Sequence, residues 1–166
     1  MEHVRFEHLV EINDPTLVEA PTLTREQIWR GLVLRAERPD LFVPSLSEVR
    51  LLSRIGTHLS RALRYGEVTV RDEVHFSHLE HVHYEIPAQG EIARSSLHVS
   101  IEEPRPGALF VRFVYEDERP ESDESRVIDE LRRAAYEQAD IDTIVTIRWW
   151  LEAGIADPPR PATPTN

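Results

Sequence analysis

The first periodic segment runs from Val4 to Asn13. Val4, Phe6, His8, Val10 and Ile12 fall on one side of it, and Arg5, Glu7, Leu9 and Glu11 on the other. A period of two predicts a half-buried β-strand, ended by Asp14-Pro15. The period then changes. Ile28, Trp29, Leu32, Val33 and Ala36 recur at helical spacing. Thr24-Arg25-Glu26-Gln27 in front of them fits a capping box, in which the threonine and glutamine side chains each serve the other's backbone N–H. Pro39 stops this helix, and Asp40-Leu41-Phe42-Val43 predicts a second short turn before Pro44.

Six more strands follow with short connections: Val49–Ile55, His58–Tyr65, Glu67–Phe76, His81–Ile86, Glu91–Glu103 and Ala108–Glu116. Val68, Val70, Asp72, Val74 and Phe76 share a face, as do Val82, Tyr84 and Ile86, and as do Ala93, Ser95, Leu97, Val99 and Ile101. Gly56, Gly66 and the cluster Pro104-Arg105-Pro106-Gly107 supply turns. Consecutive strands joined this tightly predict an antiparallel meander. A long helix closes the pattern, from about Ser122, with Ser122 or Asp123 as its cap, to Ala153 before Gly154. Val127, Ile128, Leu131, Ala134, Ala135, Ile141, Val145 and Trp149 form its expected apolar stripe, bordered by Gln138, Asp142 and Arg148.

The element order is strand, two short helices, six strands, long helix, an α+β arrangement. A single curved seven-stranded antiparallel sheet must cover its apolar face, and one long helix laid across it, with the two short helices plugging one end, does so. This is a helix-grip architecture. Small residues on the helix, Ala134, Ala135 and Ala139, are expected to leave room for an internal cavity. Residues 1–155 read as one domain and the proline-rich residues 156–166 as a tail.

Composition narrows the chemistry. The 166 residues contain no cysteine and no lysine, so thiol catalysis, cysteine-ligated metals, Schiff bases and P-loops are excluded. Thirty acids against nineteen arginines leave a net charge of −11, which repels phosphate backbones, so no nucleic-acid partner is expected. The start of the chain lacks an apolar leader and no stretch is long enough to cross a bilayer, so a cytoplasmic location without membrane insertion is expected. The oligomeric state is left open. No cofactor is called for by any motif: G-x-S-x-G, G-x-G-x-x-G and H-E-x-x-H are all missing.

Three stretches carry a resemblance: Phe6 to Pro15, Leu23 to Ala36 and Tyr136 to Thr143, supported by Val70-Arg71-Asp72-Glu73-Val74. Together they resemble the AtaL-like family of the START-like (SRPBCC) superfamily, over about Val4 to Gly154 and in the same element order. The resemblance implies a helix-grip fold with an internal ligand cavity and, in part, a link to secondary metabolism. The superfamily includes lipid and hormone binders, polyketide cyclases and aromatases, and chaperone-associated modules. It carries over no catalytic residues.

Candidate site residues come from polar side chains in apolar company. His8 and Asp72 stand on inward strand faces, where a carboxylate needs a partner or a raised pKa. An arginine such as Arg30 or Arg35 is the expected partner for Asp72, and both are candidates for an anionic ligand group. Tyr84, Gln138 and Asp142 complete the expected ligand-binding set of His8, Arg30, Asp72, Tyr84, Gln138 and Asp142. Gln138 and Asp142 are four apart, so they can equally pair along the helix surface. His75, His78, His81 and His83 tempt a metal reading, but their strand face alternates with the apolar one and points to solvent, so no metal site is expected.

Three functions fit. The first is binding of a small hydrophobic or aromatic molecule between sheet and helix. The second is a cyclase or dehydratase in the same cavity, with His8 and Asp72 as acid and base. The third is an interaction module presenting an exposed patch around Trp149 and Trp150.

Overall fold

A computed structural model describes residues 4–14, 16, 22–118 and 123–153, the side chains of 4, 123–130 and 132 excepted. The proline-rich tail and Ser122, named above as a cap, lie outside the described residues, as do the side chains of Val127 and Ile128.

The elements are β1 (Val4–Glu11), α1 (Arg25–Glu37), a 3-10 turn (Pro39–Leu41), β2 (Glu48–Ile55), β3 (His58–Tyr65), β4 (Val68–Ser77), β5 (His81–Ile86), β6 (Ser95–Arg105), β7 (Ala108–Asp117) and α2 (Asp123–Glu152). The seven strands form one curved antiparallel sheet in the order β1-β7-β6-β5-β4-β3-β2. The first strand thus pairs with the last, and the rest is a meander. Two-residue hairpins at Gly56 and Gly66 hold their glycines at φ 58° and 62°, a region that costs other residues more. The capping box is formed: Gln27 N–H donates to Thr24 Oγ1 at 3.2 Å, and Thr24 N–H donates to Gln27 Oε1 at 2.8 Å.

The core lies between the inner sheet face and the two helices. Leu59, Val74, Val82, Val99, Val111 and Phe113 meet Ile28, Leu32 and Ala36 of α1 and Ile144 and Ile147 of α2. Among the described residues, no helix is long and apolar enough to cross a membrane.

Two expectations need correction. Strand β6 starts at Ser95, four residues after the expected Glu91. Residues 89–92 close a tight turn through paired backbone hydrogen bonds between Gln89 and Ile92. The Gln89 side chain fastens that turn to Arg71, accepting from its N–H and donating to its carbonyl. The second correction concerns the phase of α2. Leu131, Ile141, Val145 and Trp149 are exposed, as are Ala134, Ala135 and Ala139, while Asp140, Thr143, Ile144 and Ile147 are buried. Positions 140, 144, 147 and 151 make a second helical stripe, and it is this one that docks. The close approach of α1 decides it, because Gly31 leaves space that Ile147 fills. The three alanines therefore do not create the cavity.

Candidate functional site

The concave face of the sheet carries a cavity of about 300 Å³. Leu63, Val70, Ile86 and Leu97 give it apolar walls; Phe6, Tyr115 and Tyr136 close one side and Pro39 and Val43 another. Arg35, Arg61, Asp72 and Tyr84 form its polar wall.

Asp72 and Arg61 stand opposite each other in the β3–β4 hairpin and are both buried. Arg61 Nε donates to Asp72 Oδ1 at 2.8 Å, Nη2 to Oδ2 at 2.5 Å, and Nη1 to the carbonyl of Ala36 at 2.7 Å. This two-pronged contact is the strongest form of such a pair. Asp72 thus has an arginine partner as expected, but it is Arg61 rather than Arg30 or Arg35. With both oxygens engaged, Asp72 is a structural anchor in the wall.

The partner that sequence reasoning missed was available by counting: a two-residue turn at Gly66-Glu67 places 61 opposite 72. The guanidinium carbons of Arg61 and Arg35 lie 5.2 Å and 5.6 Å from the Tyr84 ring centre, within cation–π range. Arg35 Nε donates to Thr143 Oγ1 at 3.3 Å, and among the described residues no carboxylate lies within ion-pair distance of it.

A second polar group backs the opposite wall. The Tyr115 hydroxyl donates to Asp140 Oδ1 at 2.6 Å. Asp140 Oδ2 lies 3.1 Å from His8 Nδ1, yet neither Asp140 Oδ2 nor His8 Nε2 is hydrogen-bonded to protein. The His8 ring stacks on Phe113 at 5.5 Å. Burial raises the Asp140 carboxyl to about 7, against the pull of the Tyr115 hydrogen bond and the Arg35 charge. Burial also pushes the Tyr115 phenol well above its ordinary range and lowers His8, an effect that Glu137 partly offsets. Around neutral pH this group therefore holds a phenol, a neutral imidazole and a carboxyl poised between its two forms. Tyr136 stacks on the Tyr115 ring at 4.3 Å and carries the cavity wall into α2.

The structure brings together only part of the expected set. Asp72 and Tyr84 line the cavity, and His8 stands behind Tyr115 through Asp140. His8 and Asp72 do not converge: β1 and β4 are four strand positions apart, and each residue has a different partner. Arg30 is exposed on the outer flank of α1; Arg35, the other arginine considered for an anionic group, faces the cavity instead. Gln138 and Asp142 are exposed and bonded to each other at 2.9 Å, the surface-pair alternative. Trp149, rather than Trp150, is the exposed member of its pair, at 57%. Asp140 was missed because the apolar stripe at 141, 145 and 149 pointed to the wrong helix face. The signal that finds it is the competing stripe Asp140, Ile144, Ile147 and Leu151.

The family described as Acetylaranotin biosynthesis cluster protein L (AtaL) matches residues 8–154. The chain belongs to the AtaL family. Its fold recurs in solved structures of low identity. The Zhui aromatase/cyclase from Streptomyces sp. R1128 is 14% identical with a TM-score of 0.65, over 93% of this AtaL-family chain and 96% of that one. The di-domain ARO/CYC StfQ from the steffimycin biosynthetic pathway is 9% identical with a TM-score of 0.63, over 92% of this chain and 52% of StfQ. TTHA0849 from Thermus thermophilus is 12% identical with a TM-score of 0.59, over 92% and 99%. At these identities the likeness establishes the helix-grip fold. No curated protein matches the chain. The AtaL-family match spans β1 to the end of α2, and so includes every cavity residue except Phe6.

Proposed function

We propose that the cavity binds a small ring-bearing organic molecule in the biosynthesis of a secondary metabolite. The observation that carries this reading is the placement of Arg35. It is a guanidinium on the cavity wall with no carboxylate within ion-pair distance among the described residues, though it feels the charge of Asp140, and it stands beside Tyr84 and Tyr115 and opposite apolar strand residues. Apolar walls favour a guest at roughly 25 cal/mol for each Å² removed from water. Arg35 adds direction by taking a carboxylate, enolate or carbonyl oxygen. A volume of about 300 Å³ fits one or two fused rings, at the small end of ligand cavities.

The membership in a family of biosynthesis-cluster proteins and the likeness in fold to two aromatase/cyclases support this reading. The test combines native mass spectrometry for a co-purifying small molecule with titration of 2-naphthoate, followed by its fluorescence. Saturable binding that weakens about tenfold in Arg35→Met and stays unchanged in Arg30→Met is expected. Absence of saturable binding, or equal loss in the two variants, overturns the proposal.

A cyclase or dehydratase is the second reading, favoured by the row Tyr115–Asp140–His8. A cavity-facing phenol that donates to a carboxyl poised near 7 can pass its proton inward to the ionised carboxylate while a substrate oxygen gives it another, or hand its proton to the substrate and be refilled from the neutral carboxyl. This row replaces the expected His8–Asp72 pair as the acid–base candidate. Turnover lost in Tyr115→Phe, with 2-naphthoate affinity kept, separates it from pure binding.

A further inference from the structure

The face of the sheet turned away from the cavity carries a transverse row of imidazoles. His58, His75, His83 and His98 stand directly opposite one another on β3, β4, β5 and β6. Directly paired residues bring their side chains into contact. His58 and His75 stack face to face at 4.5 Å. His83 and His98 do something different: their Nδ1 atoms lie 2.9 Å apart.

Two ring nitrogens at that distance need a hydrogen or a metal ion between them, and the hydrogen of one N–H donating to the other ring's lone pair supplies it here. Two lone pairs repel, and so do two N–H groups. Glu85 settles which nitrogen of His83 carries hydrogen. Its Oε1 lies 2.7 Å from His83 Nε2, and an ionised carboxylate only accepts, so Nε2 carries the proton and neutral His83 presents a lone pair at Nδ1. Arg94 Nη2 donates to the other Glu85 oxygen at 3.4 Å and fixes the carboxylate. A histidine whose far N–H is held by a carboxylate, so that its other nitrogen presents a lone pair to its neighbour, has the orientation usual for a metal ligand.

The spacing is compatible with chelation. Two imidazole nitrogens about 2.05 Å from one metal are roughly 2.9 Å apart at a right angle and roughly 3.3 Å apart at the tetrahedral angle. The observed 2.9 Å is that of an N–H···N bond and equally that of neighbouring positions around a tetragonal ion such as Cu²⁺ or Ni²⁺.

We propose that His83 and His98 form a two-imidazole chelate for a tetragonal divalent transition-metal ion, Cu²⁺ first, with Glu85 as the positioning residue for His83. The ion takes the place of the proton the two rings share. His81, whose ring centre is 4.6 Å from that of His98, is the nearest further imidazole. Among the described residues no three metal-ligating groups converge, so the other positions belong to water or to an exchangeable ligand. From the sequence no metal site is expected, because this strand face points to solvent, and His98 is not included there; strand pairing adds His98 to the row.

The test is a Cu²⁺ titration of the full chain, followed by electron paramagnetic resonance. All chains carry His3→Gln, so that this histidine, which lies outside the described residues, does not compete for copper. One ion per chain with nitrogen hyperfine splitting from two imidazoles is expected. His98→Gln should weaken binding at least tenfold and reduce the splitting to one nitrogen. Glu85→Gln should weaken it about tenfold with both nitrogens retained. His75→Gln and His78→Gln should change it less than twofold, with Mg²⁺ and Ca²⁺ failing to compete. Unchanged affinity in His98→Gln, or equal loss in His75→Gln, means adventitious surface copper only and overturns the proposal. Circular dichroism of each variant checks that the sheet is intact, and the nitrogen count remains decisive for any variant that folds.

Discussion

The hydrogen bond from Tyr115 to Asp140 joins the cavity wall to a carboxyl that is fully removed from solvent. Tyr115 alternates with Phe113 along β7, so their side chains share the sheet's inner face, and Asp140 meets this face from α2. The bond therefore ties the helix to the sheet, and its energetics depend on the protonation of a buried group.

Asp140 rises to about 7 in the folded chain, whereas an unfolded aspartate ionises near 3.9. Between those values the unfolded chain has released the proton and the folded chain keeps it. The contribution of Asp140 to stability therefore falls as pH rises from about 4 to about 7 and is level on either side. Asp140→Asn removes this slope. Its unfolding free energy relative to the parent should improve by on the order of 4 kcal/mol across that window. Urea denaturation at pH 4, 5.5, 7 and 8.5 reads the difference; a flat difference means an ordinary carboxylate.

Tyr115→Phe removes the hydroxyl that lowers the Asp140 pKa. The pH-dependent window should then extend above 7, and the unpaired oxygen should cost about 1–3 kcal/mol at neutral pH. The same denaturation series checks both, and an unshifted window would show that burial alone sets the carboxyl.

Asp72→Ala leaves the buried Arg61 guanidinium without its carboxylate. A loss of about 3–5 kcal/mol is expected. The double variant Arg61→Met with Asp72→Leu removes both charges and should recover most of that loss. Urea midpoints of the three chains decide; a double variant as weak as the single one argues that the pair is needed for more than mutual neutralisation.

Gly31→Ala tests the docking of α2 on α1. A Cβ at Gly31 would lie 2.6 Å from Ile147 Cγ1 and Cγ2 and 2.7 Å from Cδ1, so the helices must shift. A cost of about 1–3 kcal/mol is expected for such overpacking. Adding Ile147→Ala should make the glycine substitution nearly neutral relative to Ile147→Ala alone. Thermal melting in a double-mutant cycle gives the coupling, and additive effects would place the contact elsewhere.

Much of this protein was written locally along the chain. The alternation in β1, the capping box at Thr24 and Gln27 and the two-residue turns at Gly56 and Gly66 each depend on neighbours a few residues away. Period, cap and turn chemistry therefore identified the elements and their order, and the inward placement of His8, Asp72 and Tyr84 followed from strand alternation. The Arg61–Asp72 pairing was also latent there, through hairpin counting. The register of β3 against β4 is local as well, since the two-residue turn at Gly66 leaves one pairing.

The tertiary structure decided everything that depends on which of two acceptable faces docks. Helix α2 offers an apolar stripe through Ile141, Val145 and Trp149 and a mixed one through Asp140, Ile144 and Ile147, and periodicity cannot rank them. The gap at Gly31 and the Tyr115 hydroxyl favour the second, which buries a carboxylate and leaves Trp149 in solvent. The same holds across the sheet, where His98 joins His83 only because β6 returns beside β5. Contacts between distant segments are fixed by close packing of whole surfaces, and the free energy of that packing belongs to no single stretch of chain.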